Sequence, residues 1–527
     1  MKTFRPSVLA LNLALLGLPT AQAANVEALE QRIRELESRL EKLEPKTAPT
    51  EQTNPQVNKL TQKVNILERK LEVQNEVATA NSKKSPKIEA SNNGFKISSP
   101  NDDFSVRLRG SVQGDARFFV DDFPHNSAGS SAATGLPDKF DLKQARVWVE
   151  GRLWKAIDYK IMPDFGSAGK VLVQDAYFDI HYLPFASINV GKQKTPLSLE
   201  RLQGDADGMF IERAYPTYLA SNRDVGIMLH GEFAKAGYKP EYGGAVDFKN
   251  FMSYQVGVFN GTGDNGSGDS GSFDNKEVIA RVFSHPFQHS GIALLEGLGI
   301  GIAGSYEHPQ ERAVPNLPSA IGSNTIINNN APALAKTNPN TAALYANGDH
   351  FRLYPQAYWY SGPFGLMGEY VWSSQHLLGK EIDATDPKKT VRSVNFKQDN
   401  SAWQIQASYV LTGEDNTFQS VKPIRAFDPL KGNWGALQIA TRWSELNIDQ
   451  GSLADLGGSG GKFYLLDPNK SIYHAQSWAV GVNWFLNNNV RIMADYEETD
   501  FGGGAKVADG GNRPHERVFA TRFQLVF

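Results

Sequence analysis

Val518-Phe519-Ala520-Thr521-Arg522-Phe523-Gln524-Leu525-Val526-Phe527, the last ten residues, read as a β-strand with two unlike faces. Side chains alternate along a strand with period two. Phe519, Thr521, Phe523, Leu525 and Phe527 therefore share one face, and Ala520, Arg522 and Gln524 share the other. One face is greasy and aromatic, the other polar. An edge strand of a soluble sandwich alternates in this way too, but a final aromatic in register with the apolar face is what the closing strand of an outer-membrane barrel requires.

Composition agrees with a barrel. The 527 residues include 48 glycines and 11% aromatics, and mean hydropathy is −0.40. The only long apolar run lies at the N-terminus, so no later helix is apolar enough to span a bilayer. A barrel escapes that test, because only alternate residues meet lipid. Cysteine is absent, which excludes disulfides, thiolate metal sites, cysteine nucleophiles and a lipid-modified cysteine anchor. The 54 basic and 57 acidic residues nearly cancel to a net charge of −3, so total charge points to no partner and nucleic acid is not suggested.

The N-terminus carries Lys2 and Arg5, an apolar run from Val8 to Leu18, then Ala21-Gln22-Ala23. This pattern predicts a secretory signal over 1–23, and hence export. Val26, Leu29, Ile33, Leu36, Leu40 and Leu43 follow at alternating spacings of three and four, the a/d seam of a coiled coil. Glu30 and Glu37 then take e positions and Arg32 and Arg39 take g, so Arg32 faces Glu37 of a parallel partner. Pro45 to Pro55 interrupt the seam; Val57, Leu60, Val64, Leu67 and Leu71 resume it until Gln74. The expected organisation is a periplasmic coiled coil over 24–78, a linker over 79–94 and a transmembrane barrel over 95–527. β-branched residues at a with Leu at d favour dimers in isolated coils, and short helices depend on an assembly held together elsewhere.

Strand-like blocks recur near 104–120, 140–154, 157–165, 171–182, 186–194, 223–231, 251–260 and 276–285, then 296–306, 350–360, 364–375, 400–411, 433–446, 475–486, 489–498 and 516–527. That is sixteen, an even number. Tight links at 154–157, 183–185, 361–364 and 486–489 alternate with long ones at 121–139, 195–222, 307–349 and 447–474, as inner turns and outer loops should. The links 232–250 and 412–432 are long for inner turns, which leaves the count open by two.

Several patterns imitate catalytic motifs. Gly299, Gly301 and Gly304 spell GxGxxG, but no helix follows and the Gly/apolar alternation suits a strand. The Gly/Asp-rich run 261–275 has calcium-binding residue types, yet reads as a flexible outer loop. No HExxH spacing or well-placed GxSxG is present, so nothing points to an enzyme or a cofactor.

Two stretches go beyond general barrel grammar. Phe140-Asp141-Leu142-Lys143-Gln144-Ala145-Arg146-Val147-Trp148-Val149-Glu150-Gly151 is followed by Pro163-Asp164-Phe165. Asp175-Ala176-Tyr177 is followed by Val190-Gly191-Lys192-Gln193-Lys194-Thr195-Pro196-Leu197-Ser198-Leu199-Glu200 and Arg223-Asp224-Val225-Gly226. With Leu411-Thr412-Gly413-Glu414 and Trp434-Gly435-Ala436 through Arg442, the chain from about Gly94 to Phe527 resembles the phosphate-selective porin O and P family. The resemblance implies a sixteen-stranded homotrimeric channel in outer-membrane lipid, whose third outer loop folds inward and whose lysines and arginines draw phosphate or polyphosphate through the pore. It does not separate one cargo from another within the family. The implied trimer also conflicts with the dimer preference of the coil.

Strand parity puts Arg107, Arg109 and Arg117 on one polar face, Arg146 and Arg152 on the next, and Arg281, Arg442, Arg491 and Arg522 opposite apolar neighbours. Asp115, Glu150, Asp164, Asp175, Asp179 and Asp495 share those faces, so charge pairing within the wall competes with a role in the pore. The candidate constriction is Lys192 and Lys194 at the strand-to-loop junction, with Arg201, Arg213 and Arg223 bracketing loop 195–222. Lys192 is in phase with the lipid-facing Val190 and reaches the pore only if Gly191 breaks the strand. Two other functions remain open. Phe210, Tyr215 and Tyr218 would suit a sugar-selective or general-diffusion porin, and the coil would suit an envelope tether making periplasmic or cell-wall contact.

Overall fold

The computed structural model describes residues 55–82, 84–120, 138–166, 171–183, 185–233, 251–269, 274–288, 290–314, 341–457, 462–505 and 511–527, with a few isolated positions besides. The expected signal 1–23 and the first coiled-coil seam lie outside the described residues. The chain divides into two units, residues 1–87 with 98–102, and residues 88–97 with 103–527. The first holds helix α1 (Pro55–Ser82). On α1, Val64 is buried and Leu67 and Leu71 are half-buried, while their neighbours are exposed. The stretch expected as a linker contains the end of α1 and the first strand of a hairpin, Lys87–Ser91 with Gly94–Ser98.

The second unit is built from sixteen long antiparallel strands. They are β1 (Ser105–Phe119), β2 (Lys139–Leu153), β3 (Ile157–Asp164), β4 (Leu172–Leu183), β5 (Ala186–Lys194), β6 (Arg223–Phe233), β7 (Met252–Phe259) and β8 (Glu277–Ser284), then β9 (Leu298–Glu307), β10 (Thr341–Ser361), β11 (Phe364–Ile382), β12 (Thr390–Val410), β13 (Ala436–Asn447), β14 (Ile472–Phe485), β15 (Val490–Gly503) and β16 (Glu516–Val526). Each pairs with the next, and β16 pairs back onto β1 from Val518↔Phe119 to Val526↔Ser111, which closes the barrel. Phe527 and Gly110 complete the seam, each donating its N–H to the other's carbonyl at 2.9 Å. Among the described residues no helix is long and apolar enough to cross a membrane.

The barrel is inside out relative to a soluble protein. On β16, Phe523 is 63% exposed and Phe519 41%, whereas Arg522 is 4% exposed. Outward faces carry Ile227, Val256, Val282, Ile300, Phe351, Ile405, Ile439 and Val480, all exposed. Closure satisfies every strand's hydrogen bonds, and the apolar girdle suits hydrocarbon. The GxGxxG stretch lies within β9; a Cβ at Gly299 or Gly301 would meet the Phe283 ring of β8 at 2.6 or 2.4 Å. Those two glycines make room for a lumenal aromatic and hold no phosphate loop.

Among the described connections that pack inward, two frame the lumen. Loop 195–222 follows β5, opens with the one-turn helix α2 (Leu199–Leu202) capped by Ser198, and ends in a 3-10 turn at Tyr215–Leu219. Leu197, Tyr215, Tyr218 and Leu219 pack on Phe259, Ile279, Tyr354, Val371, Ala402 and Leu446, which project inward from β7, β8 and β10–β13. Burying each such side chain contributes about 1.5–3 kcal/mol. The loop is therefore packed against that part of the wall, and the open polar space falls along β1, β2, β4, β15 and β16. The second connection is the inner link after β12, residues 411–435. Its Phe418 is buried with Leu199, Phe283, Tyr358 and Met367, and its length is thereby accounted for without another strand pair.

Candidate functional site

The two inward connections meet. Gln203 donates to the Phe418 carbonyl at 2.6 Å, and the Ser420 hydroxyl donates to Asp207 at 2.7 Å and to the Ala206 carbonyl at 3.2 Å. Opposite, the wall grips the same segment by its backbone. Gln524 donates to the Ala206 carbonyl at 3.0 Å, Arg491 to Ala206 at 3.2 Å and Gly208 at 2.8 Å, Asn483 to Met209 at 3.0 Å, and Arg442 to Glu212 at 2.6 Å. The bonds from Arg491 and Arg442 have charged donors and are the stronger kind. Residues 205–208 are thus suspended between the inner link and the β14–β16 wall.

That segment separates two polar chambers. The outer one, about 360 Å³, is lined by Lys143, Arg146, Arg201, Arg213, Arg223 and Arg522, by Glu200, Asp205 and Glu212, and by the amides of Gln113, Gln144, Gln174, Gln203, Asn222 and Asn265. The inner one, about 650 Å³, is lined by Arg107, Arg109, Lys422 and Arg491 against Glu150 and Asp207, with Asn92 and Asn93 of the hairpin at its mouth. The two linings together carry ten bases and five carboxylates, so bases are in excess in both chambers. The excess is moderated from behind. Asp115 accepts from Arg522 at 2.7 and 2.8 Å, Asp164 from Arg146 at 2.7 Å, and Asp175 from Arg223 at 2.8 Å. Those carboxylates orient the guanidiniums toward the lumen.

Three of the residues expected at the constriction, joined by Arg146 of the wall, converge on one carboxylate. Asp205 pairs with Arg146, with Arg213 at 2.5 Å, with Arg223 at 3.5 Å and with Lys194 at 3.8 Å. Burial disfavours its charge, but the Arg146 guanidinium and the other three bases more than offset this and hold Asp205 well below the usual carboxylate range. Glu212 is treated alike: burial opposes its ionisation, and Lys143 and Arg117 lower it. Arg201 is different. Its guanidinium donates to the Thr217 carbonyl at 2.6 and 3.1 Å and to Asn265. It meets carbonyl oxygens there, so its full positive charge faces the outer chamber.

The remaining candidates lie elsewhere. Gly191 has φ +128°, and a Cβ there would meet the Ala176 carbonyl oxygen at 2.3 Å. The strand pairing nevertheless continues through it, with Gly191 opposite Tyr177 and Lys192 opposite Ala176; Lys192 is 8% exposed because its ammonium pairs with Asp269 of the outer loop after β7, away from the Asp205 cluster. Arg107 and Arg109 belong to the inner chamber, with Arg109 5.2 Å above the Trp148 ring and 3.7 Å from Glu150. Arg152 is clamped by Asp158 at 2.7 and 3.0 Å, outside both chambers. In the Gly/Asp-rich loop, Asp264 is engaged by Arg352 at 2.7 Å and Asp269 by Lys192. Among the described residues no group of acidic or histidine side chains is arranged to hold a metal ion. Phe210, Tyr215 and Tyr218 are each at most 7% exposed, and Arg442 covers the Phe210 ring at 4.6 Å. Tyr215 packs the loop against the wall, whereas Phe210 and Tyr218 also line the outer chamber.

Asp205 and the backbone grip of Arg491 escaped the reading of the sequence. Asp205 sits in Gln203-Gly204-Asp205-Ala206-Asp207, a run that looks like an ordinary polar turn, and its four partners come from β2, β5, β6 and its own loop.

Residues 109–527 match the family described as phosphate-selective porin O and P. Among solved structures, the outer-membrane protein OmpT of Vibrio cholerae in a trimer form is similar over 81% of this chain and 100% of its own, at 10% identity and a TM-score of 0.45. Salmonella typhi OmpF in complex with daunomycin is similar over 81% of this chain and 99% of its own, at 15% identity and a TM-score of 0.42. Among curated proteins none matches.

Proposed function

The chain belongs to the phosphate-selective porin O and P family, and from that premise we propose that it forms a passive anion channel whose preferred cargo is phosphate or polyphosphate. It is an outer-membrane porin, a channel and not an enzyme. The observation that carries the anion reading is the twofold excess of bases over carboxylates along both chambers. An oxyanion entering a narrow passage gives up part of its hydration, so the wall must replace water with donors of similar strength. Arg201, Arg213 and Arg223 supply guanidinium donors at the outer chamber, and Gln113, Gln144 and Gln203 supply neutral amides beside them. Guanidinium presents paired N–H groups that match two oxygens of a phosphate, which chloride cannot use. Arg491, Arg107, Arg109 and Lys422 continue the positive lining into the inner chamber.

The inner chamber then opens to the periplasm; we further propose that residues 24–78 form a periplasmic coiled coil and that the barrel assembles as a homotrimer. Deleting 24–90 tests that part: conductance persists if the coil is an accessory, whereas an envelope defect with normal uptake assigns the coil a tethering role. The channel itself is tested by reversal potentials of the purified protein in a salt gradient, with phosphate and then polyphosphate titrated into chloride. Anion preference and block by phosphate support the function; cation preference removes it.

A further inference from the structure

The carboxylate at the meeting point of the pore's bases is supplied by the protein itself. We propose that Asp205 is a tethered counter-anion: it occupies the anion site of the empty pore, and a permeating oxyanion must take its place. This rests on the anion-channel reading above and adds a competitor to it.

The geometry separates what holds the loop from what fills the site. The loop backbone is anchored at its carbonyls by Gln113 on Asp205 at 3.3 Å, Gln524 on Ala206 at 3.0 Å, Arg491 on Gly208 at 2.8 Å and Asn483 on Met209 at 3.0 Å. None of these bonds uses the Asp205 carboxylate. Its side chain lines the outer chamber, so rotation about its own side-chain bonds vacates the site while the backbone stays fixed. Three of its four bases are likewise positioned without it: Asp164 holds Arg146 at 2.7 Å, Asp175 holds Arg223 at 2.8 Å, and the Gln203 carbonyl accepts from Lys194 at 2.7 Å. With Asp205 withdrawn, those three donors remain in place around a carboxylate-sized gap.

Charge indicates which ion replaces it. Five bases in the ion-paired cluster, Arg146, Lys160, Lys194, Arg213 and Arg223, meet three carboxylates, Asp164, Asp175 and Asp205. Withdrawing Asp205 raises the uncompensated charge from two to three, which a divalent oxyanion matches better than chloride does. A carboxylate on a short tether competes at an effective concentration in the millimolar range. It therefore weakens the site for every free anion, which keeps a strongly basic cluster from trapping its cargo, since conduction requires an ion to leave as well as to enter.

The test compares wild type with Asp205→Asn in planar bilayers, titrating phosphate and, separately, sulfate into a chloride bath. The amide keeps the shape but neither the charge nor the competition. The expected result is a fall of about tenfold in the half-blocking concentration of both oxyanions, equivalent to about 1.4 kcal/mol, with longer block times. An unchanged or raised half-blocking concentration overturns the proposal. So does failure of Asp205→Asn to show heat-modifiable migration when Asp205→Glu retains it, because the carboxylate is then a structural clamp. Cation preference in wild type removes the anion-channel reading instead, and is seen before any variant is made.

Discussion

The Lys194 ammonium lies 3.8 Å from the Asp205 carboxylate, whereas Lys192, two residues earlier, pairs with Asp269 in the outer loop. The two lysines should therefore behave differently although they flank one glutamine. Lys194→Ala removes a base from the narrow region and is expected to weaken phosphate block several-fold and to lower the anion preference, because a local charge acts most strongly in a low-dielectric passage. Lys192→Ala should change either quantity less than twofold. A larger effect at Lys192 than at Lys194 would move the constriction outward to the loop after β7.

Arg491 holds the suspended segment by two carbonyls, at 3.2 Å on Ala206 and 2.8 Å on Gly208. Hydrogen bonds from a charged donor contribute roughly 1.5–3 kcal/mol each, so Arg491→Ala should loosen residues 206–208 while the barrel still folds. Single-channel records should become noisier, with a higher mean conductance and a lower anion preference. Arg491→Lys keeps the charge but loses the fork, and is expected to raise the noise while leaving selectivity near wild type. Quiet records from both variants would show that the inner link alone positions the loop.

The loop pairing should be insensitive to mild acid. Burial alone would raise Asp205 and Glu212, but Arg146, Lys143 and their neighbours hold both carboxyls below the ordinary range. A depressed folded value means that the pairing contributes fully above the unfolded value of about 4 and is lost only as pH falls through the folded one. Chloride conductance and sulfate block should accordingly stay flat from pH 7 to about 4.5. A transition centred near pH 5 to 6 would assign control to another group.

Gly191 has φ +128°, with a prospective Cβ 2.3 Å from the Ala176 carbonyl oxygen. Gly191→Ala should cost roughly 1–2 kcal/mol or more, since L-residues avoid this region and the carbonyl must also shift. The expected readout is a lower temperature for the change in gel migration. Altered block by phosphate should accompany it, because Lys192 and Lys194 follow the glycine directly. Unchanged migration would mean that β4 and β5 adjust freely.

Much of this architecture was legible in the sequence, and the exceptions have physical causes. Sixteen blocks of alternation foretold β1–β16 because lipid demands an apolar residue at every second position. The ends of β10, β11 and β12 were the least predictable: blocks at 350–360, 364–375 and 400–411 became Thr341–Ser361, Phe364–Ile382 and Thr390–Val410. Alternation fades where strands no longer face lipid, so Thr341 to Asp349 and Thr390 to Asp399 carry no clear signal. Lys194, Arg213 and Arg223 stand out in the sequence as bases around one loop and Arg146 as a base on a wall strand, but nothing local joins the four. Asp205 was not legible, because its importance comes from partners on separate strands and nothing local marks it. The link 412–432 stands out in the sequence only by its length, and that Phe418 and Ser420 enter the lumen is a matter of tertiary packing.

The most direct test of the central claim is the reversal potential and single-channel conductance of the full-length protein across a chloride gradient, with phosphate added stepwise to one side. The structure predicts anion selectivity and a saturable fall in chloride current as phosphate occupies the cluster around Asp205. A cation-selective channel, or a chloride current indifferent to phosphate, would contradict it.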